Sequence, residues 1–100
     1  LSETYYTTLD LLKQNLTPAE ISEKRGLGLS TVEGHLAKLI EEGEEIDAKK
    51  YVSEAELAIV GKLVEELGGE ALKPIYEAAG EKISYGQIRI ALALIAVESI

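Results

Sequence analysis

Four times in 100 residues a serine or threonine is followed three positions later by Glu or Gln: Thr17 with Glu20, Ser30 with Glu33, Ser53 with Glu56, and Ser84 with Gln87. Such a pair satisfies two orphan backbone amides at a helix start, each partner accepting from the other's main chain. Each pair therefore predicts a helix N-terminus. Pro18 strengthens the first of them, because proline is preorganised for the first helical position. Ser2 with Glu3 marks a fifth, weaker start. No Asn-Gly hairpin signal separates alternating apolar runs. The segment EEIDAKKYV offers only Ile46 and Tyr51 to Val52 as apolar patches, too little for a two-stranded wing.

Apolar spacing between these starts predicts six helices. The first spans about Glu3 to Gln14 and buries Tyr5 or Tyr6, Leu9 and Leu12, with Leu16 just beyond it. The second, Pro18 to Arg25, turns Ile21 inward and stops at Gly26; the third, Thr31 to about Glu42, buries Val32, Leu36, Leu39 and Ile40 and closes at Gly43. A fourth from Glu54 to Leu67 buries Leu57, Val60, Leu63, Val64 and Leu67. A fifth covers about Leu72 to Ala79 with Pro74 in its first turn, and Gly80 stops it. The sixth, from Tyr85 to the C-terminus, is apolar around most of its circumference and is expected to be the central element. The expected fold is all-α, a compact six-helix domain containing a helix-turn-helix.

A shift of 54 positions lays Ile21 on Ile75, Gly26 on Gly80, Leu29 on Ile83, Ser30 on Ser84, Glu33 on Gln87 and Leu36 on Ile90. A duplicated three-helix unit produces this pattern, with units at 1–44 and 53–100 joined by a linker at 45–52. Convergence of two capped helix pairs on the same caps and glycines produces it too.

The segment TPAEISEKRGLGLSTVEGHLAKLIEEG, residues 17–43, fits a helix-turn-helix: a short capped helix, a glycine-containing turn, and a helix whose first turn is offered to a groove. On this reading Thr31, Gly34 and Lys38 face outward, with His35 and Glu33 as further outward candidates, while Ser30 serves the cap. Lys24 and Arg25 stand at the end of the short helix, within reach of phosphate. By the 54-residue shift Tyr85 and Arg89 occupy the places of Thr31 and His35. They form either a small aromatic and cationic platform or ordinary packing with an Arg–Glu pair. The third helix opens without Arg, Asn or Gln, the side chains that pair bidentately with guanine or adenine, so base-specific reading is not expected.

Charge sets the scale of any such contact. Ten Lys and Arg stand against eighteen Asp and Glu, a net charge of −8, with six basic and ten acidic residues up to Lys50 and four and eight after it. Neither half is a basic module, so contact with a phosphate backbone must be local, weak and assisted by a larger chain. Glu41, Glu42, Glu44 and Glu45 gather four carboxylates near the end of the third helix, which leaves open a second reading as a protein-interaction or packing module that does not bind DNA. With no cysteine and one histidine, neither thiolate chemistry nor a Cys/His metal site is available, and no metal or cofactor is expected. The longest apolar run, Ile90 to Val97, is eight residues, far short of the roughly 20 that span a bilayer. A cytoplasmic setting is expected. The chain opens at Leu1 and contains no methionine, as expected of a piece of a longer polypeptide.

The run YTTLDLLKQNLTPAEISEKRGLGLSTVEGHLAKLIEEGEEID, followed by YVSEAEL and LKPIYEAAGEKISYGQIRIALA, resembles the helix-turn-helix domain at the C-terminus of bacterial RecQ-family ATP-dependent DNA helicases. The most telling feature is the pairing of GLGLSTVEGHLAKLIEEG with ISYGQIRIAL. The resemblance covers nearly the whole chain. It implies an accessory module of a helicase acting in recombination and repair, with DNA and the rest of the helicase as partners. The chain carries no G-x-x-x-x-G-K-[ST] loop, so hydrolysis of ATP is assigned to the parent protein.

Overall fold

A computed structural model describes residues 1–98. Six α-helices follow in order: α1 Glu3–Lys13, α2 Pro18–Arg25, α3 Leu29–Glu41, α4 Glu54–Leu67, α5 Leu72–Ala78 and α6 Tyr85–Glu98. A single 3-10 turn at Ala48–Lys50 connects α3 to α4, and no strand occurs among the described residues. The expectation that the last helix reaches the C-terminus lies, beyond Glu98, outside the described residues.

Three of the four predicted capping boxes form. Thr17 and Glu20, Ser53 and Glu56, and Ser84 and Gln87 exchange reciprocal hydrogen bonds of 2.9–3.1 Å. The Thr17 contacts hold the Glu20 carboxyl below its usual pKa, because the hydrogen bonds favour the charged form. The fourth box does not form. Helix α3 starts two residues earlier than expected, with Gly28 as its N-cap in extended geometry and no side-chain cap. The carbonyl of Gly28 accepts from the amides of Thr31 and Val32 at 3.1 Å, which places Ser30 inside the first turn rather than at the cap. Ser2 likewise caps α1 without a side-chain hydrogen bond.

The most extensive helix pair is α3 against α6. Helices α1 and α2 pack on α3, while α4 and α5 pack on α6. Val32, Leu36 and Leu39 of α3 and Ile88, Ile90 and Ala91 of α6 are almost wholly shielded from solvent, joined by Ile21 of α2, Val60 of α4 and Ile75 of α5. Ala48 and Val52 seat the connecting segment on the same core. Full burial of an aliphatic side chain of this size contributes about 1.5–3 kcal/mol, so this shared core accounts for the mutual support of the two helix groups. Of the two tyrosines offered for the core of α1, Tyr5 turns inward and Tyr6 is exposed. One expectation is corrected: Leu67, the last residue of α4, is exposed.

Both short helices close at a left-handed glycine, although in the second corner the following residue, Glu81, is left-handed too, at φ 60°. Gly26 and Gly80, 54 positions apart, adopt left-handed φ of 66° and 70°. In each, the following residue donates back to the carbonyl five positions earlier, Leu27 to Ser22 and Glu81 to Tyr76, both at 3.0 Å. This is the Schellman closure, in which a glycine carries the left-handed residue without a Cβ penalty. Helices α1 and α4 also end 54 positions apart, at Lys13 and Leu67.

Candidate nucleic-acid interface

The exposed surface of α3 opens with Leu29, Ser30 and Thr31 and continues through Lys38; Gly34, between them, is half-buried. Residues three and four apart on a helix share a face, so Thr31, Gly34 and Lys38 form one line. Lys24 is exposed on the last turn of α2, immediately before the turn into α3.

Arg25, its neighbour, turns inward instead. Its Nη1 donates to the Thr4 carbonyl at 2.8 Å and to Thr8 Oγ1 at 2.7 Å, and its Nη2 donates to Thr4 Oγ1 at 2.9 Å. The guanidinium is thus engaged in fastening α2 to α1. His35 also departs from the outward placement expected of it. It is buried with only 9% of its surface exposed, its Nδ1 lies 2.8 Å from Thr8 Oγ1, and Tyr5 packs on its ring at a centroid distance of 4.7 Å. Thr8 Oγ1, which accepts from Arg25, thus also pairs with the imidazole Nδ1. Burial, reinforced by the Arg25 charge, holds the His35 pKa below its ordinary value, so the ring is neutral at pH 7. The sequence placed His35 one position before a buried Leu but gave no sign of Thr8 as its partner.

The most informative contacts join α3 to the first turns of α6. Arg89 Nη1 lies 3.1 Å from the point where a Cβ on Gly34 would stand, so the absence of a side chain there lets an arginine from α6 lie over the α3 surface. The Glu33 carboxylate occupies the space a Cβ on Gly86 would need. Burial raises the Glu33 pKa and the nearby Arg89 opposes that rise. Glu33 therefore faces the α6 start rather than its own N-cap. Close by, Tyr85 at 41% exposure stacks on Tyr76, ring centroids 4.3 Å apart and planes 16° from parallel.

Among the described residues no group of three His, Asp or Glu is placed to hold a metal ion, and no helix is long and apolar enough to cross a membrane.

A short helix closed by a left-handed glycine, a tight turn, and a second helix with a small-residue outward face define the chain as a helix-turn-helix protein. Comparison with known families agrees: residues 4–92 match the family described as a helix-turn-helix domain, and the chain belongs to it. It is 31% identical, over 120 aligned positions, to the ATP-dependent DNA helicase Pif1 of Psychrobacter sp. (strain PRwf-1), a match covering 92% of this chain. That match covers only 18% of the helicase, so the chain corresponds to a small part of that relative. No solved structure matches the chain.

Proposed function

We propose that this chain is an accessory DNA-contacting domain of a DNA helicase, touching the duplex through Lys24, Thr31, Gly34 and Lys38. The observation that carries this reading is the outward line on α3, with exposed Lys24 at the approach to the turn, in a domain whose relative is a helicase. Thr31 leaves room for a phosphate backbone to approach, over Gly34 that backbone meets the Arg89 guanidinium, and the two lysines supply point charges that position without reading sequence. With a net charge of −8, affinity is weak and salt-sensitive, and the helicase motor holds the DNA while this domain orients it. Arg25 and His35, engaged with Thr4 and Thr8, hold the helices in place and take no part in the contact. A RecQ-type parent acting in recombination and repair is the finer form of this reading; it rests on the pairing of GLGLSTVEGHLAKLIEEG with ISYGQIRIAL.

The test is fluorescence anisotropy of a labelled duplex with the chain at low salt. Lys24→Glu with Lys38→Glu is expected to abolish binding without altering the circular dichroism spectrum. Unchanged binding in that variant, or none in the unaltered chain, contradicts the reading.

A further inference from the structure

Tyr76, Tyr85, Arg89 and Gly34 come together where α5, α6 and α3 meet. Tyr76 covers one face of the Tyr85 ring and fixes its plane, while Tyr85 as a whole keeps 41% exposure. Arg89 follows Tyr85 by four residues, one helical turn or roughly 6 Å along the axis, on the same side of α6. The guanidinium rests over Gly34, which joins this spot to the outward line of α3.

We propose that Tyr85, backed by Tyr76, and Arg89 form a platform for an unpaired nucleotide of single-stranded DNA, with the base stacked on the free face of Tyr85 and the adjoining phosphate on Arg89. A base face is available to an aromatic ring only when the strand is unstacked, which selects single strands over duplex. The one-turn spacing suits a base and its own phosphate. A planar guanidinium is the better phosphate partner, and Arg89 is the sole arginine in the chain whose guanidinium is not held by Thr4 and Thr8. The Glu33 carboxylate is near enough for its charge to act on Arg89, and that negative charge opposes a phosphate there. Continuity with α3 places the unpaired nucleotide next to the duplex contact, the arrangement a helicase accessory domain needs at a strand junction. The platform deepens the DNA-contacting reading above but does not depend on Lys24 or Lys38.

The experiment is a low-salt titration of the 100-residue chain with labelled oligothymidylate, followed by anisotropy and by tyrosine fluorescence, which five Tyr and no Trp make visible. Tyr85→Ala is expected to weaken binding by about tenfold or more and to remove most of the quenching, whereas Tyr85→Phe retains both. Arg89→Gln, at an exposed position, is expected to weaken binding and lower the salt dependence by about one counterion, and Glu33→Gln to strengthen binding. Single-strand binding that survives both Tyr85→Ala and Arg89→Gln overturns the platform. If those variants bind normally while Lys24→Glu with Lys38→Glu abolishes duplex binding, the platform alone falls. If oligothymidylate binds through Tyr85 while duplex does not bind at all, the platform stands and the helix-turn-helix contact falls.

Discussion

Thr8 Oγ1 lies 2.8 Å from His35 Nδ1 while accepting a 2.7 Å hydrogen bond from Arg25 Nη1, so one buried hydroxyl ties α1 to both α2 and α3. The orientation of α3 against α1 and α2 depends on this triad. Thr8→Val keeps the volume but leaves a guanidinium hydrogen and an imidazole nitrogen without their partner. A loss of about 1–3 kcal/mol is expected, measured by urea unfolding.

The same site predicts a pH dependence. The folded chain disfavours His35 protonation, so the unfolded chain takes up the proton first as pH falls. The His35 contribution is complete above the ordinary pKa of 6.5 and is lost progressively as pH drops below it toward the depressed folded value. Glu33 acts with the opposite sign and at lower pH. Its raised folded pKa contributes stability below 4.5 that is lost as pH rises through the folded value. Unfolding free energy is therefore expected to fall between pH of about 7.5 and about 5.5, a range bracketing the histidine pKa. His35→Gln is expected to flatten that slope; an unchanged slope assigns it to other groups.

Gly34 and Gly86 separate stability from surface shape. At Gly34 the obstacle to a Cβ is the exposed end of Arg89, which can move, so Gly34→Ala gains roughly 0.5–1 kcal/mol of helix propensity. It also displaces the guanidinium from the α3 surface. At Gly86 a Cβ displaces the Glu33 carboxylate, the end of a flexible side chain, so the effect of Gly86→Ala is expected to change when Glu33→Ala is made with it. A double-mutant cycle by thermal unfolding is expected to give a coupling of at least about 0.5 kcal/mol.

Gly26 and Gly80 make a paired prediction. Alanine at either must take up a left-handed φ, at a cost of about 1–2 kcal/mol, so Gly26→Ala and Gly80→Ala are expected to lower the melting temperature by similar amounts. A much smaller loss at one of them contradicts the equivalence of the two corners.

Local features of this fold were legible in the sequence because their causes are local. Thr17, Ser53 and Ser84 cap helices through partners three residues away, and Ile21, Val60 and Ile88 are buried at positions that helical spacing marks. Ser30 matches the same cap pattern and does not cap, because Glu33 is drawn instead to the space over Gly86, 53 positions along the chain. His35 turns inward for Thr8, 27 residues earlier, and Arg25 for Thr4 and Thr8. Likewise, the outward face of α3 contains no arginine of its own; α6 supplies Arg89 across the helix pair. Each of these placements follows from the packing of whole helices, which no short window of residues encodes.

Whether the outward line of α3 faces DNA is read by titrating isotopically labelled chain with a short duplex at low salt and following amide NMR shifts. Perturbations are expected to concentrate at Lys24, Thr31, Gly34 and Lys38 and to fade as salt is raised. Shifts confined to other surfaces, or none at all, would contradict that contact.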